Sequence, residues 1–384
     1  MKLGFLNPKG YNLSVEVKGN HAMPKLEKIT IEGYKSIKSL KDFELKDINI
    51  LIGANGAGKS NFIKFFELLM YSIREGLQLY IGKKGGPDAF LHFGRKNTDK
   101  LIAKIVSGND EYEFCLSPTD SNQMIFDYEF FSWTGGVFTP RTNVGGKGHY
   151  ESVAKSKSLT ERVAKYVVDR LKECRMYHFH DTGDTAKVKG ISGENDNLIL
   201  KGDAKNLAPY LKMLKRKYPQ NYENIVYSIQ RVFPPFGDFI IRENEEYIQL
   251  EWFEKGHEDS PFKAHILSDG TLRFMCLATL LLQPLNLMPD IIIIDEPELG
   301  LHPYAISILA GLIQSVASQK QFIIATQSAD LLNSFSADDI IIVENEKDES
   351  NFRRLNAKDL ELWRNDYSLG ELWKSNLFEV FKDE

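Results

Sequence analysis

Residues 53–60 read Gly53-Ala54-Asn55-Gly56-Ala57-Gly58-Lys59-Ser60, directly after the apolar run 48–52 and directly before helical patterning that begins near Lys59. Few folds accommodate such a segment. Glycines let successive backbone N–H groups curl around an anion with no Cβ in the way, and a helix start adds partial positive charge at the same point. The eight residues complete the Walker A pattern in the strand–loop–helix setting its chemistry requires. Asn55, Gly56, Gly58, Lys59 and Ser60 are therefore candidate nucleotide contacts, with Lys59 reaching the terminal phosphates and Ser60 offering a hydroxyl to Mg²⁺. A plain glycine-rich βα turn is the alternative, and three glycines in register with Lys-Ser count against it.

The remaining patterning is α/β. Strands are expected over 26–31 and 48–52, with a turn at Gly33 between them; 101–133 reads as antiparallel strands broken by Ser-Gly-Asn-Asp and Ser-Pro-Thr-Asp turns, and 134–150, with five glycines, as a loop. Helices are expected over 158–176 and 207–218, a strand over 247–252, and a helix over 270–282. The run 291–294, a helix over 303–317 and strands over 321–325 and 340–343 follow. Short apolar runs separated by helices imply a mainly parallel, buried sheet.

Two further elements carry chemistry. Ile291-Ile292-Ile293-Ile294-Asp295-Glu296 is a buried strand ending in two carboxylates. At the end of a parallel strand, Asp295 can hold Mg²⁺ directly or through water, and Glu296 can orient and deprotonate an attacking water. Before it, Ser268-Asp269-Gly270-Thr271 opens an apolar helix, where Ser268 can cap the helix and Gly270 permits close backbone approach. An ordinary helix cap explains Ser-Asp-Gly-Thr by itself. Its position between the Walker motifs instead suggests a second phosphate-binding helix start that serves a nucleotide held by another head.

With these elements in order, the sequence resembles the ABC-class ATPase heads of the SMC and RecF type, and most of all their free-standing AAA-family relatives. The match rests on Gly-Lys-Ser-Asn at 58–61, Ser-Asp-Gly-Thr at 268–271 and Asp-Glu-Pro-Glu-Leu-Gly-Leu-His-Pro at 295–303. Ala-Thr-Gln-Ser at 325–328 and Asp-Tyr-Ser-Leu-Gly-Glu-Leu-Trp at 366–373 also fit. The resemblance implies a P-loop ATPase fold of ABC type, with a mainly parallel core sheet, an antiparallel β subdomain and an inserted helical region. It also implies a homodimer through ATP-bound heads, each ATP gripped by Lys59 of one head and Ser268 of the other, with Asn61 among the nucleotide contacts. Glu298, Gly300 and His302 would form the D-loop at the seam. Two positions depart from the pattern. Gln327 stands where many such heads carry a switch histidine, an amide that can bond a γ-phosphate or water but takes up no proton at neutral pH. The usual Q-loop glutamine has no evident counterpart; His92 is a candidate substitute, with a packed structural histidine as the other reading. Slow turnover is the expectation.

The expected division is an N-terminal extension at 1–23, a head lobe with Walker A at 24–100, a β and helical insertion at 101–260, a second lobe at 261–345 and a packed C-terminal segment at 346–384. Roughly 200 residues separate Ser60 from Leu267, more than a compact phosphate-binding head needs. Within them Lys155, Lys157, Arg162, Lys165, Arg170, Lys172 and Arg175, and then Lys212, Lys215, Arg216 and Lys217, could grip a DNA backbone, or be solvated helix faces. His178, His180, Asp181 and Asp184 invite a metal reading, since alternation puts both histidines on one side of an extended segment; a polar loop is the plainer reading.

Bulk properties narrow the function classes. A net charge of −5 gives no overall basic excess of the kind a dedicated nucleic-acid binder carries. Cys115, Cys174 and Cys276 form no CxxC pair, which argues against a zinc site or disulfide framework and suits a reducing cytoplasm. The most apolar stretch, 274–282, is far below the roughly 20 residues needed to cross a bilayer, so no membrane role is expected. The leading expectation is an ATP-hydrolysing dimerisation switch in DNA maintenance or anti-phage defence. The second is a regulatory module that uses ATP to control a partner effector protein. A transporter ATPase subunit fits less well because of the long insertion, and an intrinsic nuclease because no further acidic metal cluster is visible.

Overall fold

The computed structural model describes residues 25–135, 141–143, 145–243, 245–356 and 367–376. The N-terminal extension, most of the segment around Asp366 and the last eight residues lie outside that description.

Along the chain, β1 (Lys28–Tyr34) and β2 (Ile37–Glu44) form a hairpin, followed by β3 (Ile48–Ile52) and helix α1 (Lys59–Ile73). β4 (Leu101–Ser107), β5 (Asp110–Pro118), β6 (Met124–Trp133) and β7 (Arg141–Asn143) come next. Helix α2 (Arg162–Lys172), strand β8 (Cys174–Tyr177) and helices α3 (Leu207–Lys217) and α4 (Pro219–Val232) follow. Three short strands, β9 (Phe236–Phe239), β10 (Glu251–Glu254) and β11 (Phe262–Lys263), precede α5 (Asp269–Leu282). The chain then runs through β12 (Ile291–Asp295), α6 (Pro303–Val316), β13 (Gln321–Thr326), β14 (Ile340–Glu346) and β15 (Glu349–Arg354).

The core sheet has the order β15-β14-β3-β13-β12-β8, parallel throughout except for the edge strand β15. Its strands are buried on both faces, and their alternate residues feed two cores. Ile50, Ile52, Ile292 and Ile294 pack with α5 and α6, while Leu51, Ile291 and Ile293 pack with α1 and the antiparallel strands. That is why β12 reads as a continuous isoleucine run rather than an alternating one. Each fully buried isoleucine there contributes about 1.5–3 kcal/mol of transfer free energy.

The second sheet, β2-β1-β4-β5-β6-β7, is antiparallel, so the 100/101 boundary passes through it between β1 and β4. The turn expected at Gly33 falls instead at Lys35, which adopts φ 48. The single helix expected over 158–176 is corrected: α2 ends at Lys172, and Cys174–Tyr177 pairs in parallel with β12. Sheet pairing overrides the helical periodicity there, because four residues are too few to reveal a strand. The loop expected at 134–150 contains β7, paired with β6. The strand expected over 247–252 is divided into Tyr247–Ile248 and β10, and α4 was not anticipated.

Candidate nucleotide-binding site

Sheet register decides what meets at the site. Ile52 pairs with Thr326, Ala325 with Asp295, and Ile294 with Tyr177. The phosphate loop, Gln327, the Asp295-Glu296 pair and His178 therefore all leave the sheet at one edge, the carboxyl ends of its parallel strands. Ligands of open α/β sheets bind at such an edge.

Helix α1 begins at Gly58 without a side-chain cap and has no acidic residue in its first turn. Its orphan N–H groups are thus left for an anion. In contrast, Ser268, His302, Ser328 and Ser368 each accept a hydrogen bond from the first turn of the helix they precede. Gly58 has φ 118, and a Cβ there would lie 2.0 Å from Ser350 Oγ, so only glycine fits. Ser350 Oγ is 2.7 Å from both Ala57 O and Ser36 Oγ, and Asn61 Nδ2 donates to Ser36 Oγ at 2.7 Å. Asn61 is thus engaged in bracing the loop from β15 and the β1–β2 turn.

Lys59 is buried, and its Nζ donates to Gly53 O at 2.6 Å and Ala54 O at 3.0 Å. Burial lowers its pKa, and Glu296, Asp295 and Glu298 oppose that shift, so the lysine lies in the field of all three carboxylates. Burial pushes the Asp295 carboxyl above its ordinary value and Glu296 adds to the rise, whereas His180, His178 and Lys59 pull it back. Ser60 is exposed at the start of α1 and Asp295 half-buried at the end of β12. A hydroxyl and a carboxylate are the oxygen donors a magnesium ion takes, so the residues present fit that ion.

Glu296 has φ 42, a left-handed backbone that costs a non-glycine residue about 1–3 kcal/mol and is concentrated at functional sites. Its Oε1 accepts from Gln327 Nε2 at 2.5 Å. Glu298 turns inward. Its Oε1 accepts from Thr326 Oγ1 at 2.5 Å and from the Gln327 amide at 3.4 Å, while its buried Oε2 has no partner among the described residues.

Ser268 caps α5, accepting from the Thr271 amide at 3.2 Å, and both Ser268 and Asp269 are exposed. A Cβ on Gly270 would lie 2.2 Å from Gly300 O, so the two loops touch backbone to backbone. Gly300 and His302 are exposed, as are the large apolar side chains Ile266, Leu299 and Tyr304.

One buried residue that sequence reasoning passed over joins these parts. Arg273, 4% exposed on α5, donates to Phe179 O at 2.9 Å and His180 O at 3.2 Å. With Asp295 and Glu296 these residues line a common crevice. An arginine inside an apolar helix was the available signal. His92, considered as a Q-loop substitute, is buried with Nδ1 2.5 Å from Lys35 O and its ring against Phe93. Its polar partner Lys35 belongs to the turn after β1. Asp181 and Asp184 are exposed and do not join the histidines; among the described residues the histidines meet Asp295 instead.

Several residues of the basic runs are buried or paired with acids. Arg170 and Lys212 are buried, Lys212 pairs with Glu194 at 2.8 Å, and Lys155, Lys172 and Lys215 pair with Glu75, Asp169 and Asp238. All three cysteines are buried free thiols. No helix among the described residues is long and apolar enough to cross a membrane.

A Walker A loop, a strand ending in Asp295-Glu296, a serine-capped helix start between them and a glutamine after the neighbouring strand define an ATPase head of the ABC type. The chain belongs to the family described as "AAA domain, putative AbiEii toxin, Type IV TA system", whose model matches residues 48–333. Solved structures of similar fold include SMC heads. A head bound to the C-terminal winged-helix domain of ScpA is 14% identical, with TM-score 0.56, over 87% of this chain and 99% of that one. A head with extended coiled coil, bound to the C-terminal domain of ScpA from Pyrococcus furiosus, is 15% identical, with TM-score 0.50, over 94% and 100%. A curated relative, "Putative ABC transporter ATP-binding protein" of Methanosarcina acetivorans, is 32% identical over 103 residues. That match covers 27% of this chain and 35% of the relative.

Proposed function

We propose that the chain hydrolyses ATP to ADP and phosphate as a dimerisation switch, with each nucleotide held between the phosphate loop of one head and the Ser268–Thr271 helix start of another. Asn55 to Ser60 cradle the phosphates, and Lys59 leaves its loop carbonyls for the γ-phosphate. Mg²⁺, held by Ser60 and Asp295, would neutralise phosphate charge. Glu296, oriented by Gln327, accepts the proton of the water attacking in line. Glu298, Gly300 and His302 belong to the loop at the seam, with Glu298 acting through Thr326 and Gln327. Residues 24–100 and 261–345 make the head, 101–260 elaborate it while returning β8 to the core sheet, and the described parts of 346–384 pack on it.

The observation that carries this reading is the exposure of Ser268 and Asp269 at a capped helix start beside the exposed Gly300 loop and the apolar Ile266 and Leu299. Such a surface fits a second copy of the chain. Light scattering of Glu296→Gln with ATP and Mg²⁺ tests it: the switch requires a dimer, and a persistent monomer contradicts it.

For the downstream role, the pairing of Lys155, Lys172, Lys212 and Lys215 with acids favours control of a partner effector protein over direct DNA handling. The family's description, which names a toxin of a type IV toxin–antitoxin system, supports a regulatory role for the chain in such a system. Single-turnover hydrolysis with and without DNA separates the readings, since effector control predicts little stimulation.

A further inference from the structure

The sequence offers His178 and His180 as a ligand pair with Asp181 and Asp184 as neighbouring acids, and the fold replaces those two acids with Asp295. β8 pairs in register with β12 up to Tyr177 opposite Ile294, so the next residues of the two strands are His178 and Asp295. One ligand atom from each of His178, His180 and Asp295 lies within 4.8 Å of the other two, and the two imidazole centroids are 6.3 Å apart. Bonds of about 2.1 Å place tetrahedral ligands of one ion about 3.4 Å apart, so closure from a spread of up to 4.8 Å needs side-chain shifts of up to about 1.5 Å.

The backbone carrying the histidines is held on both sides. The His178 amide donates to Gly202 O at 2.8 Å, and the buried Arg273 grips the carbonyls of Phe179 and His180. Fixed backbone with adjustable rings is what a ligand set needs. His178 is exposed and His180 half-buried, so an ion has access from solvent.

We propose that His178, His180 and Asp295 bind a first-row transition dication of the Mn²⁺, Co²⁺ or Zn²⁺ class. Two imidazole nitrogens and one carboxylate select such ions over Mg²⁺, which favours oxygen ligands in octahedral array. The proposal goes beyond the ATPase reading and shares only Asp295 with it. That carboxylate has two oxygens and faces both the histidines and the nucleotide side of the sheet edge. Transition-metal supply thereby acts on the acid of the Walker B strand.

The test is titration of the nucleotide-free full chain with Co²⁺, followed by visible absorption and then by displacement with Zn²⁺. The wild type is expected to take up one Co²⁺ with ligand-field bands, and His178→Gln/His180→Gln to lose affinity at least about 100-fold while melting like the wild type. His257→Ala, which alters a histidine outside the cluster, retains binding. Absence of Co²⁺ bands in the wild type, or equal affinity in the double variant, overturns the site. Magnesium-dependent ATP binding by the same two proteins is measured separately; its failure bears on the nucleotide reading, not on this one.

Discussion

Gln327 Nε2 donates to Glu296 Oε1 across 2.5 Å, joining the first residues beyond two adjacent parallel strands. The bond fixes one oxygen of the carboxylate that faces the nucleotide edge. Gln327→Ala should lower kcat about 10-fold or more with little change in KM, the loss of one hydrogen bond to a charged group. Glu296→Gln should lower it by about 100-fold or more. Gln327→His should restore part of the rate and add a pH dependence in the range where an imidazole gains its proton. Steady-state kinetics across pH 5.5–8.5 check all three.

Gly270 packs against the Gly300 carbonyl closely enough that a Cβ would stand 2.2 Å from it. Alanine is the better helix former, so any loss in Gly270→Ala comes from this contact. The expected outcome is unchanged ATP affinity in the monomer with reduced dimer formation and turnover. Equal turnover would remove the link between the two loops.

Arg273 donates to two carbonyls in a buried crevice between α5 and the histidine segment. Arg273→Met leaves both without their donor and should destabilise the fold by about 2–4 kcal/mol. Denaturant midpoints measure this, and nucleotide affinity at low denaturant should survive.

The Glu298 carboxyl is raised above its ordinary pKa by burial, against the opposing bonds from Thr326 and Gln327. Protonation therefore favours the folded state. Its contribution is full below the unfolded value of about 4.3 and is lost as pH rises through the raised folded value. Glu298→Gln should accordingly be more stable than the wild type at pH 8, with the difference shrinking as pH falls towards 4. Chemical denaturation at several pH values decides the sign.

Much of the site is legible in the residues themselves, for physical reasons that differ by element. The phosphate loop is legible because bare backbone, a lysine and a hydroxyl at a helix start serve few other purposes. β12 is legible because four successive isoleucines can only be a strand buried on both faces. β8 is not, since Cys174–Tyr177 continues the periodicity of α2 and is a strand only because β12 lies beside it. For the same reason the histidines found their acid in Asp295, more than a hundred residues onward, rather than in the neighbouring Asp181 or Asp184. Arg273 hid within an apolar helix, and the neutralisation of Lys212 and Lys155 by Glu194 and Glu75 depends on contacts no local pattern reveals.

In the proposed switch each active site is built from two chains. Glu296→Gln and Ser268→Arg should each be nearly inactive alone, the first lacking the base and the second blocking the partner's nucleotide. Mixed together they form heterodimers in which the Ser268→Arg chain supplies an intact phosphate loop and Glu296, and the Glu296→Gln chain supplies an intact Ser268. The mixture should hydrolyse ATP well above the sum of the separate variants; a rate equal to that sum would mean that no site is shared between chains.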